Sequence, residues 1–358
     1  MFKINLDNQK AIKKLDRNSV ATSIANLPQQ LSAAYSQAQK LRLPAGFAQA
    51  DNLVFCGMGG SNLASELIRR VFGSSIAQPL ILVRGYNLPK FASKNTLVII
   101  SSYSGNTEET LACLQQAIKI KAKIICLSSG GKVELLAQKY RLPYFKINPE
   151  FNPSGQPRYD IGSQLGAVLA IFSRLKIIKL TDKEINGVGA DLVKWGFELL
   201  PSSPKSNNPA KQLAERLTQK NLYIIGAEHL SANAHIFANQ INESAKQLAN
   251  PYKIPELNHH LLEALSLPAK VIKDTAFVFL FSNGYSRPIA KRFLATQKIL
   301  KQKNISSAVL PAKGVGALSE SLSLLALGSW VSFYLAMANR VNPAEIPWVD
   351  WFKKELEK

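Results

Sequence analysis

At 358 residues the chain exceeds what one hydrophobic core usually organises, so about two domains are expected. Nearly half of it (46%) is apolar and low-complexity tracts are scarce, which excludes a disordered or fibrous protein. Lysine and arginine outnumber acids 44 to 24, a net charge of +20, but the basic residues are spread along the whole length without a basic arm or an interleaved aromatic platform. That pattern predicts a solvated basic surface with some pull on anionic substrates, and no nucleic-acid partner.

The cysteines Cys56, Cys113 and Cys126 are odd in number and unclustered. They read as buried thiols of a reducing cytoplasm, neither disulfides nor metal ligands. Met1 to Arg17 carries charges throughout and has no apolar core of a secretory signal, so the expected location is cytoplasmic. Ser321 to Asn339 approaches the length of a membrane span, but Ser321, Ser323, Gly328, Ser329, Ser332 and Asn339 dilute it. It is expected to be a buried domain helix, with no membrane partner.

In chain order, residues 1–50 read as an N-terminal helical extension, with Ile24, Leu27, Leu31 and Ala34 at helical spacing and an interruption at Asn26-Leu27-Pro28. Residues 51–200 alternate strand and helix, with strands at Leu53–Cys56, Leu80–Val83, Thr96–Ser101, Ile124–Leu127 and Pro143–Ile147. That alternation predicts an α/β fold with a doubly wound parallel sheet. A helix from about Tyr159 to Leu175 closes the unit, and Pro201 to Pro209 reads as a linker or exposed turn. Residues 205–341 repeat the layout: Leu222 to Gly226 echoes Leu53 to Gly57, and Phe277 to Ser282 echoes Leu97 to Ser102. Residues 342–358 form a terminal helix.

Two loops carry the chemistry. Val98-Ile99-Ile100-Ser101 stops at Ser102-Tyr103-Ser104-Gly105-Asn106-Thr107, ahead of a helix that opens at Glu108-Glu109. The hydroxyls of Ser102, Ser104 and Thr107 then meet the unpaired N–H groups of a helix start, where an anion is attracted. The earlier run Leu53 to Cys56 ends in Gly57-Met58-Gly59-Gly60-Ser61, again before a helical pattern. Side by side at the carboxyl edge of one sheet, the two turns converge on a crevice for a phosphorylated small molecule. A dinucleotide fingerprint is disfavoured, because Asn62 stands where its third glycine belongs and Val83-Arg84-Gly85-Tyr86 offers no acid for a ribose. In the second half Ala227-Glu228-His229 replaces the glycine-rich turn and Asn283 to Pro288 replaces the hydroxyl loop, so one phosphate cradle per chain is expected.

Gly57-Met58-Gly59-Gly60-Ser61 together with Ser102 to Thr110 resembles the sugar-isomerase (SIS) domain. From about Ser19 onward the chain resembles, more narrowly, the bifunctional phosphoglucose/phosphomannose isomerases. The resemblance implies two tandem doubly wound SIS domains (flavodoxin-like sandwiches) with helical N- and C-terminal extensions. It implies interconversion of glucose 6-phosphate, and of mannose 6-phosphate, with fructose 6-phosphate through a cis-enediol, with no cofactor and no metal. Gly59, Gly60, Ser61, Ser102, Ser104 and Thr107 then hold the phosphate, and Arg158 of Gln156-Pro157-Arg158 steadies the enediolate. Glu243 of Ile241-Asn242-Glu243-Ser244-Ala245-Lys246 matches the proton-transferring base, and His259 matches the ring-opening histidine. Lys353, in the terminal helix that returns to the active site, assists ring opening. Related enzymes are homodimers with shared active sites, the histidine being donated by the neighbour.

The chain departs from the family pattern at several places. Asn258-His259-His260-Leu261 replaces the usual Asn-His-Asn-Glu, Asn62 replaces a glycine, and Asn342 to Pro347, with Ile346, replaces a threonine-proline segment near the C2 hydroxyl. The last change bears on mannose turnover more than on glucose turnover. Two alternatives stand beside this reading: an isomerase of another sugar phosphate, and a non-catalytic phosphosugar sensor. The sensor has no use for Glu243, Arg158 and Lys353 together, and the first 50 residues offer no DNA-binding helix pair.

Overall fold

The computed structural model describes residues 5–356. The chain divides into two compact units, Asn26–Val193 and a second made of the residues up to Ala25 together with those from Lys194 onward.

The first unit is built on a five-stranded sheet of β1 (Asn52–Cys56), β2 (Leu80–Val83), β3 (Thr96–Ser101), β4 (Lys123–Ser128) and β5 (Tyr144–Lys146) in the order β2-β1-β3-β4-β5. Every ladder is parallel, with Cys56 opposite Ile100 and Ile100 opposite Cys126. The chain runs outward from β1 to β2 and then crosses back to β3. The order therefore reverses between β1 and β3, and the crevice above their carboxyl ends is where such sheets take ligands. All six residues of β3 are buried, as a β-branched central strand covered on both faces must be. One face packs Val54, Cys56, Val98, Ile100, Cys113, Leu114 and Cys126 into a single cluster, so all three cysteines are free, buried thiols.

The helices Leu27–Gln39 and Ile161–Arg174 belong to this unit and cross closely, because Gly162 and Gly166 leave room. A Cβ at Gly166 would stand 2.3 Å from the Leu31 carbonyl oxygen and 3.0 Å from the Tyr35 nitrogen. Gly166→Ala is therefore expected to destabilise the protein by about 1–3 kcal/mol, since backbone overlap outweighs the ~1 kcal/mol of helix propensity that alanine adds. A thermal midpoint equal to or above that of the wild type would show that the helices part freely.

The second unit carries a four-stranded parallel sheet of β6 (Asn221–Ala227), β7 (Ala249–Ile254), β8 (Thr275–Phe281) and β9 (Ser306–Pro311), ordered β7-β6-β8-β9. The central pair β6 and β8 is the one legible in the sequence. Of the edge strands, β7 is buried only at its two ends and β9 only at Ala308 and Leu310, and they contain Pro251 and Pro311, which an edge tolerates and a strand pattern hides.

The apolar helix Ala317–Ala338 is long and apolar enough to cross a membrane, yet 89% of its most apolar stretch is buried inside the protein. Beside it Lys211 is fully buried, donating to the carbonyls of Pro201 (2.9 Å) and Ser203 (2.7 Å) and to Asp7 (2.9 Å). The Pro201–Pro209 stretch is thus a turn region fastened at one end to the helix Pro209–Leu217.

Candidate active site

The carboxyl edge of the first sheet is shaped by glycines that admit no side chain. A Cβ at Gly57 would meet the Ser101 carbonyl oxygen at 2.9 Å, and one at Gly60 would meet Pro157 and the Arg158 nitrogen, each at 2.9 Å. Gly59 takes the left-handed backbone (φ +49°) in open space, at the start of the single turn Gly59–Asn62 that leads into the helix Leu63–Phe72. Ser61 is buried, and its Oγ accepts the Tyr103 N–H at 2.8 Å. That bond ties the loop after β1 to the loop after β3, while Gly60 seats the first loop against Pro157-Arg158.

In the second loop Ser102 is fully buried and its Oγ lies 2.9 Å from Thr107 Oγ1. Ser104 is exposed and accepts the Asn106 N–H at 3.3 Å. Gly105 (φ +70°) passes so close to Gly130 that a Cβ would overlap the Gly130 carbonyl oxygen. Thr107 precedes the helix Glu108–Lys119 without capping it through its side chain, so the hydroxyl's polar partner is Ser102 and the helix start keeps its N–H groups. The structure thus brings Gly59, Gly60, Ser61, Ser102, Ser104 and Thr107 to one sheet edge, together with Arg158.

Arg158 lies in the turn Pro157–Tyr159, ahead of the helix Ile161–Arg174. Only 1% exposed, it is no surface arginine: Nη1 donates to Gln156 Oε1 at 2.7 Å and the guanidinium stands 5.5 Å from the Tyr159 ring. A cation buried beside a helix start is held there against the dipole.

Behind these residues sits a buried polar layer that the sequence reading missed. Asp160 is fully buried, accepts the Ser163 hydroxyl at 2.6 Å and leaves its Oδ2 without a hydrogen bond. Burial pushes its carboxyl up to about 7, with the Ser163 bond pulling the other way. Tyr103 OH accepts from Asn152 Nδ2 at 3.0 Å, and burial, then the charge of Asp160, pushes the phenol up to about 12. The one available signal was an acid two places after Arg158 in an otherwise apolar helix start, a position that ordinarily reads as a helix cap. Here Asp160 holds the cap position but makes no capping bond.

Glu243, His259 and Lys353 lie in the second unit. Glu243 is half-buried in a π-helical turn, Ile241–Ala245, that ends the helix Ser231–Gln240 and is closed by Lys246 in left-handed backbone (φ +51°). Asn242 braces the turn, exchanging two 2.8 Å bonds with the backbone of Ala249 at the start of β7. Such π turns interrupt a helix to re-aim a side chain and recur at functional sites.

His259 is exposed at the end of the turn Glu256–His259 that follows β7, and neighbouring Asn258 anchors to Thr296 Oγ1 at 2.8 Å. The departure His260 faces the Tyr252 ring, centroids 6.1 Å apart, whereas Leu261 is buried. Lys353 is exposed on the helix Pro347–Leu356, none of whose residues is buried.

A family model described as the bacterial phospho-glucose isomerase C-terminal SIS domain matches residues 206–356. The chain is 31% identical over 341 residues to a bifunctional phosphoglucose/phosphomannose isomerase of Caldicellulosiruptor bescii, a match covering 93% of this chain and 98% of that one. It is 30% identical over 311 residues to one of Aquifex aeolicus, covering 86% and 90%. Among solved structures, a hypothetical protein from Thermus thermophilus is similar with a TM-score of 0.75 over 98% of this chain and 93% of its own, at 15% identity, a likeness of fold alone. Relatives 30–31% identical over 86–93% of the chain, on a chain that carries the paired glycine and hydroxyl loops, place it plainly: it belongs to the bifunctional phosphoglucose/phosphomannose isomerase family.

Proposed function

We propose that the protein is an aldose–ketose isomerase that interconverts glucose 6-phosphate and mannose 6-phosphate with fructose 6-phosphate. The observation that carries this reading is the juxtaposition of two phosphate-type loops, joined by the Ser61–Tyr103 bond, with a buried arginine seated on the first of them. Ser61, Ser102, Ser104 and Thr107 hold the phosphate with the backbone of Gly59 and Gly60, and Arg158 stabilises the negative charge that develops on the enediolate. Glu243 takes the proton from C2 and returns it to C1. His259 and Lys353 move the proton between ring oxygen and O1 that opens the sugar. No cofactor has a part in this route.

The two sheets are read as tandem doubly wound SIS domains with helical extensions at both ends, and the three buried free thiols suit a cytoplasmic enzyme. An exposed His259 fits donation to a neighbouring subunit in a homodimer. A monomer that keeps full activity through sedimentation at assay concentration overturns that assignment.

Proton NMR of fructose 6-phosphate with the purified protein and no coupling enzyme tests the activity. Both glucose and mannose 6-phosphate anomeric signals are expected to grow. Growth of glucose alone removes the mannose half of the reading, and points to the segment around Ile346. A static spectrum removes the isomerase reading altogether.

A further inference from the structure

The carboxyl edge of the second sheet, where the first sheet carries its hydroxyl loop, holds an acid. Ser282 is the first residue after β8 as Ser102 is the first after β3, and both strands lie beside the first strand of their sheet. Ser102 keeps its hydroxyl for Thr107, but Ser282 Oγ donates to Glu320 Oε2 at 2.5 Å. The same oxygen lies 2.6 Å from His229 Nε2, on the turn after β6. The Gly284 N–H donates to Ser282 Oγ at 2.8 Å, which commits the serine proton to the carboxylate. Because the carboxylate, and not the imidazole, takes that proton, the cluster does not activate Ser282 as a nucleophile.

Glu320 reaches this point from the first turn of the helix Ala317–Ala338 and is 8% exposed, and Ser282 is 1% exposed. The other acid nearby, Glu228, is taken up by the N–H and hydroxyl of Ser286, the latter at 2.6 Å. The turn after β6 is further fixed by Tyr285, whose hydroxyl accepts the Ala227 N–H at 3.2 Å and whose ring lies 5.6 Å from that of His229. Two side-chain donors from two separate strand ends thus converge on one oxygen of a charge that the chain itself supplies. A buried carboxylate is stable only when its oxygens are met in this way.

We propose that Glu320 is a tethered oxyanion filling a latent anion cradle formed by Ser282 and His229, and that it closes the second unit to phosphate and other free oxyanions. The layout of the second sheet then yields no second sugar-phosphate site, because its own side chain occupies the place. The chemistry rests on these residues alone; only the comparison with Ser102 depends on the phosphate reading of the first unit.

Glu320→Ala removes the tethered group and leaves its donors in place. Its thermal midpoint is expected to lie below that of the wild type and to rise with sodium formate, by about 3–5 °C at formate tenfold above half-saturation, relative to chloride of equal ionic strength. Formate is not expected to produce this rise in Glu320→Gln, whose amide still fills the space, or in Glu320→Ala combined with Ser282→Ala. Equal responses to formate and chloride in Glu320→Ala overturn the proposal. If that variant folds only in part, refolding yield in formate against chloride becomes the readout, and equal yields overturn it as well. No sugar substrate enters the experiment, so its failure and that of the isomerase reading are separately visible.

Discussion

Glu243→Gln is expected to lower kcat for fructose 6-phosphate by ~10²–10⁴-fold and to leave KM close to the wild-type value. The amide has the size and planarity of the carboxylate but cannot take the proton from C1 of the ketose and deliver it to C2. The π turn that carries it is held by two bonds between the Asn242 side chain and the Ala249 backbone, which the substitution does not remove. The substitution leaves the residues assigned to the phosphate unchanged, so ground-state binding is expected to persist while proton transfer is lost. Steady-state rates with each hexose phosphate, alongside the unfolding midpoint, separate this from a folding defect. Activity within about tenfold of the wild type in a folded variant would remove Glu243 from the role of base.

Asp160→Asn stabilises the protein at pH 8 and leaves it unchanged near pH 4. The folded carboxyl titrates at about 7 against an ordinary 3.8, because burial disfavours its charge. Between those two values the folded chain holds a proton that the unfolded chain has released. Stability therefore falls as pH rises from about 4 to 7 and is flat above. The full difference corresponds to ~4 kcal/mol at most, at 1.36 kcal/mol per unit. Asparagine mimics the protonated acid and removes the slope. Urea unfolding between pH 5 and 8 measures it, and parallel curves for variant and wild type would mean that Asp160 is ionised in the folded state at neutral pH. The unpartnered Oδ2 supports the protonated form, since a buried charge without a second donor is costly.

The central strands of both sheets were legible because fully buried runs of β-branched and aromatic residues such as Leu97 to Ile100 and Phe277 to Leu280 admit little else. The edges β7 and β9 were not, since half-exposed strands bearing proline satisfy no periodic template. The two loops at the carboxyl edge of the first sheet were legible as turns for a chemical reason: glycines and hydroxyls are spaced closely along single turns, so local sequence carries the geometry. Arg158 was found by its Pro-Arg setting, but its near-complete burial is a property of the loops packed on it.

The Tyr103–Asn152 bond, the buried Asp160 and the Ser282–Glu320–His229 cluster join residues far apart in sequence or apolar in their local setting. No window of sequence contains them. The unbroken exposure of the helix Pro347–Leu356, Trp348 and Trp351 included, was equally unreadable, because its apolar spacing matches that of a packed helix.

The most direct test of an enediol isomerase is the fate of solvent hydrogen. Glucose 6-phosphate formed by this protein from fructose 6-phosphate in D2O should carry deuterium at C2, read as collapse of the C2 proton signal and of its coupling to the anomeric proton. Product that keeps protium at C2 through many turnovers would contradict proton transfer by a side-chain base, and broadening of fructose 6-phosphate without any product would leave a binding protein in place of an enzyme.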